Sequence, residues 1–334
     1  MTYAGARGET QAQMAQALNF LPEQKQFHAT FALMGALLGD IVKKGHIQLQ
    51  VANALWPRKG YKFLKEFISL AEKFYASRIT PVDYDDAENA RQMINDWVEE
   101  RTESKIKDLI PAGVLDSMTR LVLVNAIYFK GEWADKFDPG LTNQAPFFTA
   151  PDVQVQVLMM ARKQEFNYAV DGDVQILELP YAGDDLSMIV LLPREINGLE
   201  RLEASCNLES LDKWMGKLAV TEVEVSLPRF EVSFPFRPDD TLKSMGMVNA
   251  FSNKADFSGM DGSQDLFIGA ILHKAFVVVN EQGTEAAAAT AAIMQTKAVA
   301  FSPVVFRANH PFIFLILANK TKNILFMGRL ANPA

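Results

Sequence analysis

Between two apolar runs with strand character, Phe276–Val279 and Val304–Phe306, the chain carries 24 residues, Asn280 and then EQGTEAAAATAAIMQTKAVAFSP. That is far longer than a hairpin connection, and compact domains seldom keep such a stretch without a use for it. Its composition is uniform: Thr284, then Ala286 to Ala289, Thr290, Ala291 and Ala292. Alanine propensity alone predicts a short exposed helix, with Glu285 well placed near its N-terminus. A second reading is a segment that changes state. Small side chains on both faces can enter between two strands without a clash, and threonine retains strand propensity. Gly283 would then be a hinge, open to backbone angles that other residues avoid.

The rest of the chain constrains what surrounds this segment. The first third is helical in period. Gln11–Leu18 is amphipathic, and Phe31–Val42 places Leu33, Leu37, Leu38 and Ile41 on one stripe. From Ile47 the period changes to two, as Leu49 and Val51 alternate with Gln48 and Gln50. Phe63–Tyr75 returns to helix, and a further helix starts at the caps Asp85 and Asp86, carrying Ala90, Ile94, Trp97 and Val98. Beyond Leu121 the runs are strand-like: LVLVNAIYF, VQILELPY, LSMIVLLP, VEVSLPRFEV, AFVVVNE, FIFLILAN and ILFMGRL. A helical front and a strand-rich back predict an α+β fold with mixed or antiparallel sheets. Neither a repeat nor a linker composition divides the 334 residues.

Several function classes fall away. Net charge is -7, which disfavours a nucleic-acid or anionic-membrane partner, since both call for a basic face. Cys206 is the one cysteine, so no internal disulfide holds the fold. The longest apolar runs are well short of the roughly 18 residues of a membrane span. No signal peptide is visible at the start, and the compartment is left open. No nucleophile elbow, metal-spaced His/Cys cluster or phosphate-binding glycine loop occurs, so neither catalysis nor a metal nor a cofactor is expected. The carboxylates of Asp83–Glu88 suit a helix start.

The hinge segment, Asn280–Thr290 (NEQGTEAAAAT), resembles the reactive-loop signature of the inhibitory serpins. The resemblance extends along the chain through ARQMINDWVEERTESKI, LVLVNAIYFKGEW, LELPYAGDDLSMIVLLP, VSLPRFEV, ADFSGM, NHPFIFLI and ILFMGRLANP, in the family's order. Against the family, MTYAGARGETQAQM matches the end of the second helix and the start of the third. The first helix, a buried strand of the second sheet and the serine-bearing start of the second helix have no counterpart.

The resemblance implies one serpin domain over residues 1–334, with a large central mixed sheet, further sheets and surrounding helices, and a reactive-centre loop at 281–303. It implies that Glu281, Gly283, Thr284, Glu285, Ala286, Ala287, Ala288, Ala289 and Thr290 form the hinge. It places the reactive bond between Lys297 and Ala298, with Met294 and Thr296 as alternatives. Lys297 suits a trypsin-like protease, whose primary pocket has an acidic floor. Trp133 matches the tryptophan under the top of the main sheet. Asn125 and His273 match the polar pair beneath its centre, whose usual serine partners belong to the part without counterpart. The expected function is suicide inhibition of a serine protease by loop insertion, with the protein a monomer before reaction. Inhibition of cysteine proteases and a non-inhibitory serpin-fold role, as a chaperone or storage protein, are the alternatives.

Overall fold

The computed structural model describes residues 1–20, 23–283 and 304–334. In chain order its helices are α1 (Thr2–Gly5), α2 (Gly8–Ala17), α3 (Gln24–Lys43), α4 (Lys65–Tyr75), α5 (Ala87–Arg101), α6 (Leu199–Ser205), α7 (Leu208–Gly216), α8 (Asp239–Ser244) and α9 (Ser258–Asp261). The first five strands are β1 (Ile47–Pro57), β2 (Arg78–Ile79), β3 (Leu121–Gly131), β4 (Asn143–Ala150) and β5 (Val153–Asp171). They are followed by β6 (Val174–Pro180), β7 (Leu186–Pro193), β8 (Ala219–Pro228) and β9 (Phe230–Phe236). The last four are β10 (Ala270–Val279), β11 (Val304–Arg307), β12 (Phe312–Ala318) and β13 (Ile324–Leu330). Spatial clustering divides the chain into two units. One holds Met1–Lys43, Gln48–Phe129 and Val232–Phe276, and the other holds Lys44–Ile47, Lys130–Glu231 and Val277–Ala334.

In the first unit the helices form where sequence period and caps coincide. The Asp86 carboxylate accepts from the Asn89 amide at 3.2 Å and starts α5, which buries Ala90, Ile94, Trp97 and Val98, the predicted face. The core of this unit gathers Tyr3, Met14, Phe27, Leu55, Phe67, Leu121, Phe257 and Met260. Its sheet has the order β2-β1-β3-β10-β9. β1 and β2 pair in parallel.

α3 differs from expectation. It is longer, and its apolar residues do not form one buried stripe. Phe27 is buried, whereas Leu33 is 61% exposed and Leu37 42%. At 100° per residue, Leu33 and Leu37 lie well round the helix from Phe27, so apolar character covers more than the inner face.

In the second unit the strands run in the order β11-β8-β5-β6-β7-β12-β13, with β4 paired to β5. β7 and β12 are buried at every residue, as befits strands with neighbours on both edges and both faces covered. The longest strand, β5, is absent from the sequence-level strand list. Its half-polar residues fit because it changes partner along its length: β4 opposite Val153–Met159, β8 opposite Met159–Tyr168, β6 opposite Asn167–Asp171. The run VEVSLPRFEV, expected as one strand, is two. Pro228 has no amide proton for the ladder and ends β8, and β9 begins at Phe230 in the other sheet. α6 and α7 were likewise not foreseen. They cover a core of Ile176, Ile189, Leu191, Leu202, Trp214, Ile313 and Leu315.

Candidate functional site: a hinge anchor and a polar network

β10 ends at Val279, and the chain then closes a tight turn. The Asn280 amide donates to the Gly283 carbonyl at 2.8 Å, and the Gly283 amide donates back at 3.1 Å. The Asn280 side chain accepts from the Gln282 amide at 3.0 Å. The turn is then tied to the segment after β3 through three successive carbonyls. Asn280 accepts from the Trp133 indole at 2.9 Å, Glu281 from the Phe137 amide at 2.8 Å, and Gln282 from the Trp133 amide at 3.0 Å. Trp133 is 2% exposed and stacks on Tyr181, with centroids 4.7 Å apart and planes at 11°. The expected tryptophan is therefore both core and anchor.

Glu281 is the charged member of this anchor and is 2% exposed. A buried carboxylate needs partners, and it has them. Arg229 Nε donates to its two oxygens at 2.8 and 2.7 Å, Arg229 also approaches through Nη2 at 2.5 Å, and the Thr142 hydroxyl donates at 2.6 Å. Burial pushes this carboxyl up, but the Arg229 and Thr142 hydrogen bonds outweigh it and hold the group below its ordinary value of 4.5.

Gly283 is required where it stands. Its φ is +134°, and an added Cβ would strike the Gly131 carbonyl and come within 2.7 Å of Glu132 Cα. Gly283→Val is expected to lower the thermal midpoint by several degrees, since strain of this type costs about 1–3 kcal/mol. An unchanged melting curve would show that the turn is not held in this form.

Asn125 and His273 also come together, in the first unit. His273 Nδ1–H donates to Asn125 Oδ1 at 2.6 Å, and Asn125 Nδ2 donates to Asn53 Oδ1 at 2.6 Å. Asn53 stands on β1, Asn125 on β3 and His273 on β10, neighbours in that order. Among the described residues, an asparagine within the same sheet, Asn53, is the further polar partner of this pair. Asn53, Arg229 and Thr142 were not singled out from the sequence. The signal for Asn53 was available: a polar residue inside the apolar run VANALW. Nothing local marks Arg229 or Thr142, which meet Glu281 from 52 and 139 residues away. Thr284, Glu285, Ala286 to Thr290, Lys297 and Ala298 lie outside the described residues.

Burial, the first cause in each case, holds His28, His273 and His310 below the ordinary histidine value of 6.5. Below that pH the unfolded chain binds protons that the folded chain refuses. Stability is therefore undiminished above about 6.5 and falls as pH drops toward each folded value. Glu281 adds a second loss, as its contribution is present above 4.5 and disappears as pH falls through its lowered folded value. The urea midpoint is expected to be lower at about pH 5 than at about pH 7.5. Equal midpoints at the two pH values would contradict these burial effects.

Residues 1–333 match the family model described as serpin (serine protease inhibitor). The chain belongs to the serpin family. Among its relatives, the bovine leukocyte elastase inhibitor is 44% identical, the match covering all of this chain and 89% of that protein. Among solved structures, uncleaved ovalbumin superposes with a TM-score of 0.86 at 30% identity, covering 99% of this serpin and 89% of that chain. Human thyroxine-binding globulin in complex with thyroxine gives a TM-score of 0.89 at 30% identity, covering 100% and 88%. The α+β architecture with a large mixed sheet is the serpin fold, and the family is described, and the bovine relative named, as inhibitors rather than enzymes.

Proposed function

We propose that this serpin traps trypsin-like serine proteases as a suicide substrate. The reading rests above all on one arrangement. β3 and β10 are direct neighbours in their sheet, and β10 continues through the anchored turn at Gly283 into an alanine-threonine segment. Such a segment is suited to entering between these two strands, because no residue from Thr284 to Ala292 is bulky and its one charge is Glu285. The target serine attacks the Lys297 carbonyl, the bond to the Ala298 nitrogen breaks, that amine leaves with a proton, and an ester joins Lys297 to the protease. Cleavage frees the hinge, and Thr284 and its successors insert as a new strand. Insertion carries the attached protease to the far end of the sheet, and distortion of its active site stops water from cleaving the ester. The Asn53–Asn125–His273 network spans the line of entry, and the Asn125–His273 bond is the one that parting β3 from β10 would break.

The likeness to a thyroxine complex shows that the fold also serves a ligand carrier, so the fold alone does not select inhibition. The composition of the hinge does, since a strand that never inserts has no need of small residues on both faces. Lys297 favours trypsin-like targets, whereas the relatives are named for leukocyte elastase. Mixing the protein with trypsin should give a band near the summed mass that survives denaturation. Complete turnover to cleaved chain, or no cleavage at all, would overturn this function.

A further inference from the structure

In the second unit, β11 pairs in parallel with β8, which sets Val304 beside Val223 and Val305 beside Glu224. On its other edge β8 pairs with β5, which sets Lys163 beside Glu224 and Glu165 beside Glu222. Side chains in register share a face. One face of these strands therefore carries Val305, Glu224 and Lys163 in one row and Glu222 and Glu165 in the next, and all five are exposed. The other face is the covered one, with Val223, Val225 and Phe306 each 0% exposed. The exposed face has two unusual features. Glu165 and Glu222 stand directly opposite each other, and like charges so placed destabilise a sheet. Lys163 Nζ relieves Glu222 at 3.5 Å, while Glu165 and Glu224 make no ion pair among the described residues. The second feature is polarity. β8 and β11 run the same way, so the chain enters β11 from the Glu222 end. The other cation of this face, Arg307, lies three residues beyond Val304, about 10 Å further in.

We propose that this end of the sheet is a second contact for the target protease, through which Glu165, Glu222 and Glu224 select trypsin-like enzymes with a basic surface beside the active site. The inference rests on the reading of Lys297–Ala298 as the reactive bond. Val304 is seven residues on from Lys297, so the attacked carbonyl lies at most about 25 Å from the start of β11. A protease domain of roughly 220 residues has a radius of gyration of about 17 Å, so an enzyme seated at Lys297 has this face within its span. Carboxylates there attract a basic enzyme and repel an acidic one before acylation, which changes the rate of encounter and leaves the later insertion untouched. The primary pocket recognises Lys297, and the sheet face recognises the surface around that pocket. Two proteases with the same pocket are thereby told apart by attraction in one case and repulsion in the other. The opposed pair Glu165 and Glu222, unfavourable in the free protein, gains partners only when a basic surface covers it.

Cationic and anionic trypsin share a pocket and differ in surface charge, so the test compares them. The measurement is the second-order rate constant for forming the denaturation-resistant complex at about 50 mM salt. Combining Glu165→Gln, Glu222→Gln and Glu224→Gln should slow cationic trypsin about tenfold and leave anionic trypsin unchanged or faster. The slowing should vanish at about 0.5 M salt. The control combines Glu66→Gln, Glu72→Gln and Asp96→Asn, three exposed acids of the first unit, and changes net charge equally. It should move either rate less than about twofold. Because the sheet variant loses an opposed like-charge pair, its thermal midpoint should be no lower than that of the unsubstituted chain. Equal slowing by the two triple variants would assign the effect to net charge and overturn the contact. An unchanged rate with cationic trypsin, or a slowing that persists in high salt, would overturn it too. If the unsubstituted chain forms no such complex with either trypsin, the trapping function itself fails. Complexes that form at one rate for all three proteins remove the contact alone.

Discussion

Thr284→Arg is expected to leave the Lys297–Ala298 bond cleavable and to abolish the covalent complex. Insertion competes with hydrolysis of the acyl-enzyme, and only insertion before hydrolysis produces a trap. Thr284, Ala286, Ala288, Thr290 and Ala292 alternate, so one parity of the inserted strand faces the buried side of the sheet. A guanidinium at the first of these positions must shed water as the strand enters, at a cost of about 3 kcal/mol or more. Each 1.4 kcal/mol slows the step about tenfold, so insertion falls at least ~100-fold behind. The acyl-enzyme is then hydrolysed and the serpin behaves as a substrate. The measurement is the ratio of denaturation-resistant complex to cleaved chain on a gel, at equal protease. If Thr284→Arg traps as efficiently as the unsubstituted chain, loop insertion is not the mechanism, whatever the fold.

How much of this could be seen in the sequence depended on how local the physics is. Gly283 stood out because a hinge needs a residue open to unusual backbone angles, whereas Glu281 came only from the family resemblance. Gly283 stands at a backbone angle that other residues avoid. Asn125 and His273 came only from the family resemblance, since a lone polar group in an apolar strand does not by itself name a role. The partners that make these residues work were not visible. Arg229 reaches Glu281 because Pro228 breaks one strand from the next, and Asn53 reaches Asn125 through strand order, which no local period encodes. β5 was missed for a related reason. It is a strand because three others pair with it in succession, while its own residues are half-polar. α3 was located correctly but its burial was not, because periodicity tells which residues share a face and not how many faces are covered.

Lys297→Glu is expected to abolish reaction with trypsin-like proteases. The primary pocket of such an enzyme ends in a carboxylate, which the lysine ammonium would meet and neutralise. Substitution by glutamate replaces that attraction with two like charges in a confined, poorly hydrated pocket. At a separation near 4 Å and an effective dielectric near 20 the repulsion is about 4 kcal/mol, before the lost attraction is counted. That alone corresponds to roughly a thousandfold loss in the rate of acylation. Lys297→Arg preserves the charge and should preserve trapping, so the pair separates electrostatic recognition from damage to the loop. Proteases with small or apolar pockets provide the control. An elastase-type enzyme gains nothing from Lys297, so if it is trapped it should be trapped as well after Lys297→Glu, through a bond at Met294 or Thr296. Trypsin that is still trapped by Lys297→Glu would move the reactive bond away from Lys297–Ala298. Sequencing the amino terminus of the released C-terminal peptide would then give its place, since that peptide begins at Ala298 only if Lys297 is the residue acylated.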